Sequence, residues 1–327
     1  MPSKRVIGEL VSDSPASASA AAELLNRSDA AIVQHEYGIY GGTDGDDVVD
    51  VLEGLTVPSI VIAHTVLKHP TPHQRSVLEA VAALASQVVV MSESASRRLC
   101  LGFDIDPSKV TTISHGAFVP PRRAAPAHQC SPTLLTWGLL GPGKGIERVI
   151  DAMVSLHRLP SQPHYLVAGR THPKVLAAQG ETYREARIDQ ARRRGVAASV
   201  AFDAGYRDVA SLTQLAQACA VVVLPYDSTD QVTSGVLVDA IAAGRPVVAT
   251  AFPHAVELLG SGAGAVVAHD DPDALVAILH TLLTRPEVAD AMAAEASRLA
   301  PAMAWPVVAN AYVKLSRALL AERTALV

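Results

Sequence analysis

Short, uninterrupted runs of apolar residues recur along the chain, separated by longer amphipathic stretches. The runs are rich in Val, Ile and Leu and do not alternate between apolar and polar positions. Strands that are buried on both faces have this pattern, because helices cover both sides of a parallel sheet. We therefore predict strands at Ala31–Val33, Ser59–Ala63, Val88–Met91, Val110–Ile113, Leu134–Thr136, Tyr165–Ala168, Val200–Phe202, Ala220–Leu224, Pro246–Ala249 and Gly264–Val267.

The stretches between these strands have the length and periodicity of helices. Examples of the predicted helices are Thr71–Ala85, Ile146–Leu156, Glu181–Arg194, Ser211–Cys219, Gly235–Ala243 and Pro272–Leu283. Repetition of strand, helix and strand implies parallel sheets with right-handed crossovers. The segment Val119–Pro132 carries four prolines and no apolar periodicity, so we predict a linker there. This divides the chain into an N-terminal α/β domain at residues 1–125 and a second at 131–302.

Composition narrows the class of protein. Hydrophobic residues make up 49% of the 327 residues and charged residues 18%, which predicts large cores rather than disorder. A net charge of −5 disfavours a nucleic-acid partner, which would require a basic face. Three separated cysteines without a CxxC motif predict neither a zinc site nor a disulfide framework and favour a cytoplasmic location. The sequence shows no signal peptide and no apolar run approaching the ~20 residues of a membrane span.

A glycine-rich segment, GLLGPGKG, follows the fifth predicted strand and precedes a helix. Gly138 and Gly143 permit a tight turn and a close approach of the backbone to a ligand. Amide groups at the start of the helix favour an anion, and Lys144 adds a compact positive charge suited to a diphosphate. Ser234 and Gly235 open a later helix, so their backbone amides are further candidates for a pyrophosphate. A solvated lysine in an ordinary turn is the alternative interpretation of Lys144.

Two long motifs, TWGLLGPGKGIERVIDAM and LPYDSTDQVTSGVLVDAIAAGRPVVATAFPHAVELL, together resemble glycosyltransferase family 4. A narrower subgroup shares QHEYGIYGG, HTVL, QxTSG and a closing MxWP, so the resemblance covers nearly the whole chain. It implies an α/β fold of the GT-B type, in which two Rossmann-like parallel-sheet domains enclose a cleft. It also implies transfer of a hexose from a nucleotide-diphosphate sugar, with retention of anomeric configuration and without a metal ion or other cofactor.

The resemblance assigns roles in the C-terminal half. Gln231 and Asp239 stand where the family has two glutamates, the first contacting the donor sugar and the second the nucleotide ribose. Asp239 keeps a carboxylate that accepts two hydroxyls, whereas Gln231, our candidate catalytic residue here, loses the charge. The family's arginine after the first glycine is Leu139 in this chain, so we predict that Arg170 helps to bind the donor. A helix-surface Asp239, a loop Gln231 and a surface-turn Arg170 are the alternatives.

In the N-terminal half the resemblance places the acceptor. The segment AIVQHEYGIYGGTDG begins as a buried strand and becomes a polar, glycine-rich loop. His35 and Glu36 lie at the carboxyl end of that strand, and Gly41 and Gly42 permit close backbone approach. His64 ends the next strand, where the family has a histidine close to the reacting sugar, and is predicted to be catalytic. For His35 and Glu36 the alternative is a buried pair that only fixes the loop.

The sequence motifs are compatible with more than one donor and more than one class of acceptor. Donors of the GDP-mannose and the UDP-glucose type both suit the motifs, and the acceptor is a saccharide, a lipid or a small molecule. A lipid acceptor would involve weak membrane association, although the sequence has no basic amphipathic stretch. A different Rossmann enzyme is disfavoured, because no GxGxxG follows the first strand with an acidic residue about twenty positions later.

The two ends of the chain give further expectations. Family members begin with a strand and a glycine-containing loop that faces the donor phosphates, but only about thirty residues precede QHEYG here. We expect this first strand, loop and helix to be missing, either because the start is assigned too far downstream or because the protein is a shortened member. In the second case we expect transfer to be weak. A non-catalytic or weakly active nucleotide-sugar-binding relative is therefore the alternative function. The closing segment, residues 303–327, is predicted to be a helix that crosses back to the N-terminal domain, anchored by Trp305.

Overall fold

The computed structural model describes residues 6–121 and 131–325. The strands there form two parallel sheets, of four and six strands, and this confirms the predicted α/β fold class. The chain divides into one unit of Met1–His115 with Val308–Val327 and a second unit of Gly116–Val307. Most of the predicted linker, residues 122–130, lies outside the described residues.

The first unit is built on a sheet with strand order β1-β2-β3-β4. Its strands are β1 (Ala31–His35), β2 (Ser59–Ala63), β3 (Gln87–Val90) and β4 (Val110–Thr112), and its helices are α1 (Pro15–Leu25), α2 (Asp47–Glu53), α3 (Pro72–Leu84) and α4 (Glu93–Gly102). Burial alternates along β1, whereas every residue of β2 is buried. The prediction of strands buried on both faces is therefore wrong for β1, because β1 lies at an edge of this sheet and only one of its faces is covered.

The second unit is built on a sheet with strand order β10-β9-β8-β5-β6-β7. Its strands are β5 (Thr133–Trp137), β6 (His164–Ala168), β7 (Val200–Asp203), β8 (Val221–Leu224), β9 (Val247–Thr250) and β10 (Gly264–Val267). Its helices are α5 (Ile146–Leu156), α6 (Pro173–Gln179), α7 (Thr182–Arg193), α8 (Val209–Ala218), α9 (Gly235–Ala242), α10 (Pro253–Leu259), α11 (Pro272–Thr284) and α12 (Pro286–Met303). The chain reverses its direction across the sheet between β5 and β8, and ligands bind at such a switch point in open parallel sheets.

Helix α5 shows how apolar spacing fixes the position of the turn that precedes a helix. Ile146, Val149, Ile150 and Met153 recur at helical spacing, and all four are completely buried against the second sheet. Burial of each such side chain contributes about 1.5–3 kcal/mol of transfer free energy. This packing fixes the start of α5, and with it the preceding glycine-rich turn, at the carboxyl end of β5.

The last helix, α13 (Trp305–Ala325), packs mainly on the four-stranded sheet of the first unit. Val308 is buried in a cluster with Ile60, Val89 and Ile113. Partly buried apolar residues of α13 extend this contact at helical spacing, namely Ala311, Tyr312, Leu315 and Leu319. No helix among the described residues has both the length and the apolar character needed to cross a membrane.

Within the second unit, the segments that begin and end it are paired. The Ala117 N–H donates to the Met303 carbonyl at 2.8 Å, and the Trp305 N–H donates to the Ala117 carbonyl at 3.1 Å. A Cβ atom on Gly116 would lie 2.3 Å from the Trp305 indole, so a larger residue cannot occupy position 116 without moving the ring. Trp305 thus contacts the segment that begins the second unit and belongs to the segment that ends it.

Candidate functional site

The glycine-rich turn after β5 and the loop after β8 are in direct contact. The Gly143 carbonyl accepts a hydrogen bond of 2.9 Å from the Asp227 N–H. Gly145 has a left-handed backbone, with φ of 63°, and a Cβ there would lie 1.7 Å from the Pro225 carbonyl oxygen. Only glycine tolerates both conditions. The two loops therefore form one surface at the switch point of the sheet.

Lys144 lies between the two glycines and places its charge on an aromatic ring. Its Nζ atom is 4.4 Å from the centroid of the Tyr226 ring, and Tyr226 in turn stacks on Phe252 with centroids 5.4 Å apart. Burial lowers the pKa of Lys144 from its ordinary value. A cation that has lost part of its hydration interacts more strongly with an anion than a fully solvated one does. The site therefore holds a positioned, partly desolvated ammonium group.

Gly138 and Arg170 lie where β5 and β6 continue as a pair beyond their ends. The Gly138 N–H donates to the Ala168 carbonyl at 3.0 Å, and the Leu140 N–H donates to the Arg170 carbonyl at 2.8 Å. The Arg170 side chain is exposed, and its guanidinium carbon lies 5.4 Å from the centroid of the Tyr206 ring. The structure thus places Arg170 at a strand end, as predicted, but against Tyr206.

The start of α9 differs from the sequence interpretation in one respect. Ser234 caps the helix, with its Oγ atom accepting from the Leu237 N–H at 3.3 Å. The Ser234 N–H donates to Nδ1 of His254 at 2.8 Å, so that amide is already used. In this structure the Ser234 amide is therefore bound by His254 rather than open to an anion. The amides of Gly235 and Val236 have no carbonyl partner within the helix and are the ones that suit an anion.

These amides share a helix face with Asp239. Gly235, Val236 and Asp239 are partly exposed and recur at helical spacing, whereas the residues on the opposite face are buried. Cγ2 of Val236 lies 3.8 Å from where a Cβ on Gly138 would be, which brings this face to the turn after β5. The helix start, the Asp239 carboxyl group and the first glycine of the turn therefore border the same region.

Gln231 lies in the loop that leads into α9. Its Nε2 atom donates to the Thr233 carbonyl at 3.0 Å, and its own carbonyl oxygen accepts from the His254 N–H at 3.2 Å. Because the amide nitrogen is engaged, the Oε1 atom is the part of the side chain suited to a ligand hydroxyl.

In the first unit, polar side chains join the carboxyl ends of β1 and β2. His64 Nε2 lies 2.6 Å from Gln34 Oε1, and the Thr65 hydroxyl donates to Glu36 at 2.5 Å. The His64 N–H donates to the His35 carbonyl at 3.0 Å. Burial lowers the pKa of His64, and the Glu36 carboxylate opposes that shift. His64 and Glu36 therefore belong to one cluster, held by the sheet on which it sits.

The space beside Gly41 and Gly42 is filled by other groups of the protein. A Cβ on Gly41 would lie 2.3 Å from the Asp47 carboxylate and 2.7 Å from the Asp13 amide nitrogen. Gly42 has a φ of 75°, and its N–H donates to the Asp13 carboxylate at 2.9 Å. Local packing thus explains why positions 41 and 42 require glycine. The predicted approach of an acceptor to these two residues has no separate support.

His35 is 1% exposed, and neither of its ring nitrogens has a hydrogen-bond partner among residues 6–121 and 131–325. The edge of its ring meets Tyr37, with centroids 5.2 Å apart. Burial and the neighbouring His64 lower the pKa of His35 from 6.5 to about 4. The imidazole is therefore neutral at neutral pH, and its charged form is disfavoured in the folded state.

We expect His35 to make the first unit less stable in mild acid. Since its pKa is about 4 when folded and 6.5 when free, the unfolded chain takes up the proton first as the pH falls. Stability is full above pH 6.5 and declines towards pH 4. Between pH 7 and pH 5 the loss should be about 2 kcal/mol. Urea titrations of the wild type and of His35→Gln should differ by this pH-dependent amount, with the exposed His280→Gln as control. Equal pH dependence in all three proteins would contradict the assignment.

Three site residues were not found from the sequence. Arg148 in α5 binds Asp227 at 2.8 Å and also the His269 carbonyl, which fixes the loop after β8. Tyr226 and His254 follow the carboxyl ends of β8 and β9. The rule that ligands bind beyond these strand ends would have pointed to both of them.

A sequence comparison identifies the family of this chain. The sequence model of the family described as "Glycosyl transferases group 1" matches residues 122–299, which is more than half of the chain. The chain belongs to the group 1 glycosyltransferases. No curated protein matches it in sequence.

Solved glycosyltransferase structures share its fold. Anabaena HepE, solved with UDP and glucose, is 18% identical with a TM-score of 0.75, over 93% of this chain and 81% of that one. A glycosyltransferase from Rickettsia africae is 13% identical with a TM-score of 0.76, over 96% and 84%. Sucrose-phosphate synthase from Thermosynechococcus elongatus is 19% identical with a TM-score of 0.72, over 90% and 74%. These likenesses confirm the GT-B fold of this group 1 glycosyltransferase.

Proposed function

We propose that this glycosyltransferase moves a hexose from a nucleotide-diphosphate sugar, and that the carboxyl ends of β5 and β8 bind the donor. The observation that carries the proposal is the Lys144 ammonium group, held on the Tyr226 ring. The start of α9, which follows the same loop as Tyr226, adds the partial positive charge of a helix N-terminus. HepE, which shares the fold, was solved with UDP and glucose, and this supports the choice of ligand.

Each donor group has a counterpart in the second unit. Lys144 and the amides of Gly235 and Val236 would hold the diphosphate, while Asp239 would accept the ribose hydroxyls. Gln231 Oε1 would accept a hydroxyl of the donor sugar. The family resemblance implies retention of configuration, with the acceptor hydroxyl attacking on the side of the leaving diphosphate. The leaving oxygen would take the proton, so the protein's part is to position the reactants and to stabilise the developing phosphate charge.

The acceptor side of the proposal lies in the first unit. His64 and Glu36 would border the acceptor hydroxyl at the carboxyl ends of β1 and β2, and the buried His35 would support them. Since burial lowers the pKa of His64, its ring suits hydrogen bonding to a hydroxyl group rather than charge pairing. The acceptor class is an unidentified saccharide, lipid or small molecule.

One observation favours the second candidate function, that of a weakly active or non-catalytic nucleotide-sugar-binding protein. Gln231 is neutral where the related family has a glutamate, and its amide nitrogen is engaged by the Thr233 carbonyl. A side chain without charge contributes less to stabilising an oxocarbenium-like centre than a carboxylate does. Donor binding and sugar transfer therefore need to be measured separately.

A thermal-shift panel followed by transfer assays tests the proposal. We expect one of UDP, GDP or ADP, at 100 times its Kd, to stabilise the fold by about 2.7 kcal/mol, whereas the matching nucleoside stabilises it less. The matching sugar nucleotide is then incubated with a mixed acceptor pool. Stabilisation with sugar transfer supports the enzyme, and stabilisation without transfer or hydrolysis supports the second candidate. The absence of any shift across the panel would contradict both.

A further inference from the structure

A single histidine forms hydrogen bonds with both ends of the loop from Gln231 to Ser234, which leads into α9. His254 is the second residue of α10 and follows β9 in the chain. Its backbone N–H donates to the Gln231 carbonyl at 3.2 Å, and its ring Nδ1 accepts from the Ser234 N–H at 2.8 Å. The side chain is 2% exposed, so both hydrogen bonds are shielded from water.

The direction of the ring hydrogen bond fixes the state of the imidazole. Since Nδ1 accepts the Ser234 N–H, that nitrogen carries no proton, and the ring is neutral with its proton on Nε2. The bond also gives a partner to the backbone amide of Ser234, a buried residue whose side chain caps α9. A polar ring here therefore has a specific partner that an apolar side chain of the same size would lack.

The two hydrogen bonds act on the backbone of Gln231, which we place at the donor, and of Ser234, which precedes the two amides that we place there. One holds Gln231, whose Oε1 would meet the donor sugar, and the other holds Ser234, which sets the direction of the Gly235 and Val236 amides. Displacement of the loop would move both contacts together. The remaining buried residues of α10, Ala255 and Leu259, supply its apolar packing without the ring.

We propose that His254 is a positioning residue for the nucleotide-sugar site, which it serves by fixing the loop from Gln231 to Ser234. The inference rests on the proposed function, because the groups that it positions are the proposed contacts to the sugar and the diphosphate. His254 is buried and is not one of the proposed donor contacts. Its loss should therefore weaken diphosphate binding and transfer while leaving contacts made elsewhere in the site unchanged.

Three substitutions separate positioning from packing. In His254→Asn the side-chain oxygen reaches about the position of Nδ1 and keeps an acceptor for the Ser234 N–H. His254→Gln places its oxygen further out, and His254→Leu removes the acceptor altogether. We expect the Leu and Gln variants to bind the stabilising nucleoside diphosphate about tenfold more weakly than the wild type, and the Asn variant to stay within about threefold. Nucleoside affinity should change by less than about twofold in all three.

Calorimetry with the nucleoside and its diphosphate, and melting temperatures of each variant, measure this pattern. The inference is supported if the Asn variant keeps the diphosphate affinity that the Leu variant loses. This holds even if the two variants have equal melting temperatures. Affinity unchanged in the Leu variant, or equal losses in Asn and Leu, would overturn it. Nitrogen-15 spectra of histidine-labelled wild type give a readout without ligand. A proton on Nδ1 of His254 would rule out the hydrogen bond from the Ser234 N–H and would overturn the inference, whether or not any nucleotide binds. The expected proton on Nε2, in a protein that binds no nucleotide, would refute the proposed function alone.

Discussion

Replacement of Lys144 by alanine is expected to weaken nucleoside-diphosphate binding roughly ten- to a hundredfold. A charge-assisted contact contributes about 1.5–3 kcal/mol, and partial burial of Lys144 reduces the screening that water would impose. Nucleoside binding should change little, because the lost contact is to phosphate. Calorimetric titration with the nucleoside and its diphosphate measures both affinities on the same preparation.

Lys174→Ala is the matched control for this experiment. Lys174 is exposed in α6, so its loss changes the net charge by the same amount without touching the turn after β5. We expect this variant to bind both ligands like the wild type. Equal losses of nucleoside and diphosphate affinity in Lys144→Ala would instead assign Lys144 to folding or to the base.

Gly145→Ala should destabilise the second unit by roughly 3–5 kcal/mol. The left-handed backbone at Gly145 costs an alanine about 1–2 kcal/mol, and the new methyl group would meet the Pro225 carbonyl oxygen at 1.7 Å. Neither loop can yield easily, since one is fixed by α5 and the other by β8. Urea unfolding monitored by tryptophan fluorescence reports on this unit, which contains Trp137 and Trp305.

Gly143→Ala separates the two causes of that loss. Gly143 also has a positive φ, of 89°, but a Cβ there meets no other atom within 4 Å. The expected loss is therefore the backbone strain alone, about 1–2 kcal/mol. If both variants lose the same free energy, contact between the two loops is not what requires glycine at position 145.

The strands could be predicted because their signal is local. Ser59–Ala63 and Gly264–Val267 were located to the residue, and Ile146–Leu156 is a helix with the predicted bounds. The errors lie at sheet edges and strand ends. Gln34 and His35 extend β1 by backbone pairing with β2, and this pairing leaves no trace in the apolar pattern.

The candidate site was predictable only in part, for a related reason. Gly138 and Lys144 stand in one short motif, so their chemistry is visible in the sequence. The use of the Ser234 amide depends on His254, twenty positions later. In the same way, the position of Arg170 depends on Tyr206, which follows a different strand. The order of strands in the sheet decides which residues form such contacts. The sequence near either partner does not reveal that order.

The packing of α13 on the first sheet has a consequence for synthesis on the ribosome. The core of the first unit includes Val308 and, beside it, Leu315 and Leu319, but the rest of that core is translated before residue 116. At about 5–20 residues per second, these helix residues emerge some 10–40 seconds later. During that interval the apolar face formed by Ile60, Val89 and Ile113 has no helix to cover it, while the second unit already has its complete sequence by residue 307. The domain that is translated first is thus the last to complete its core.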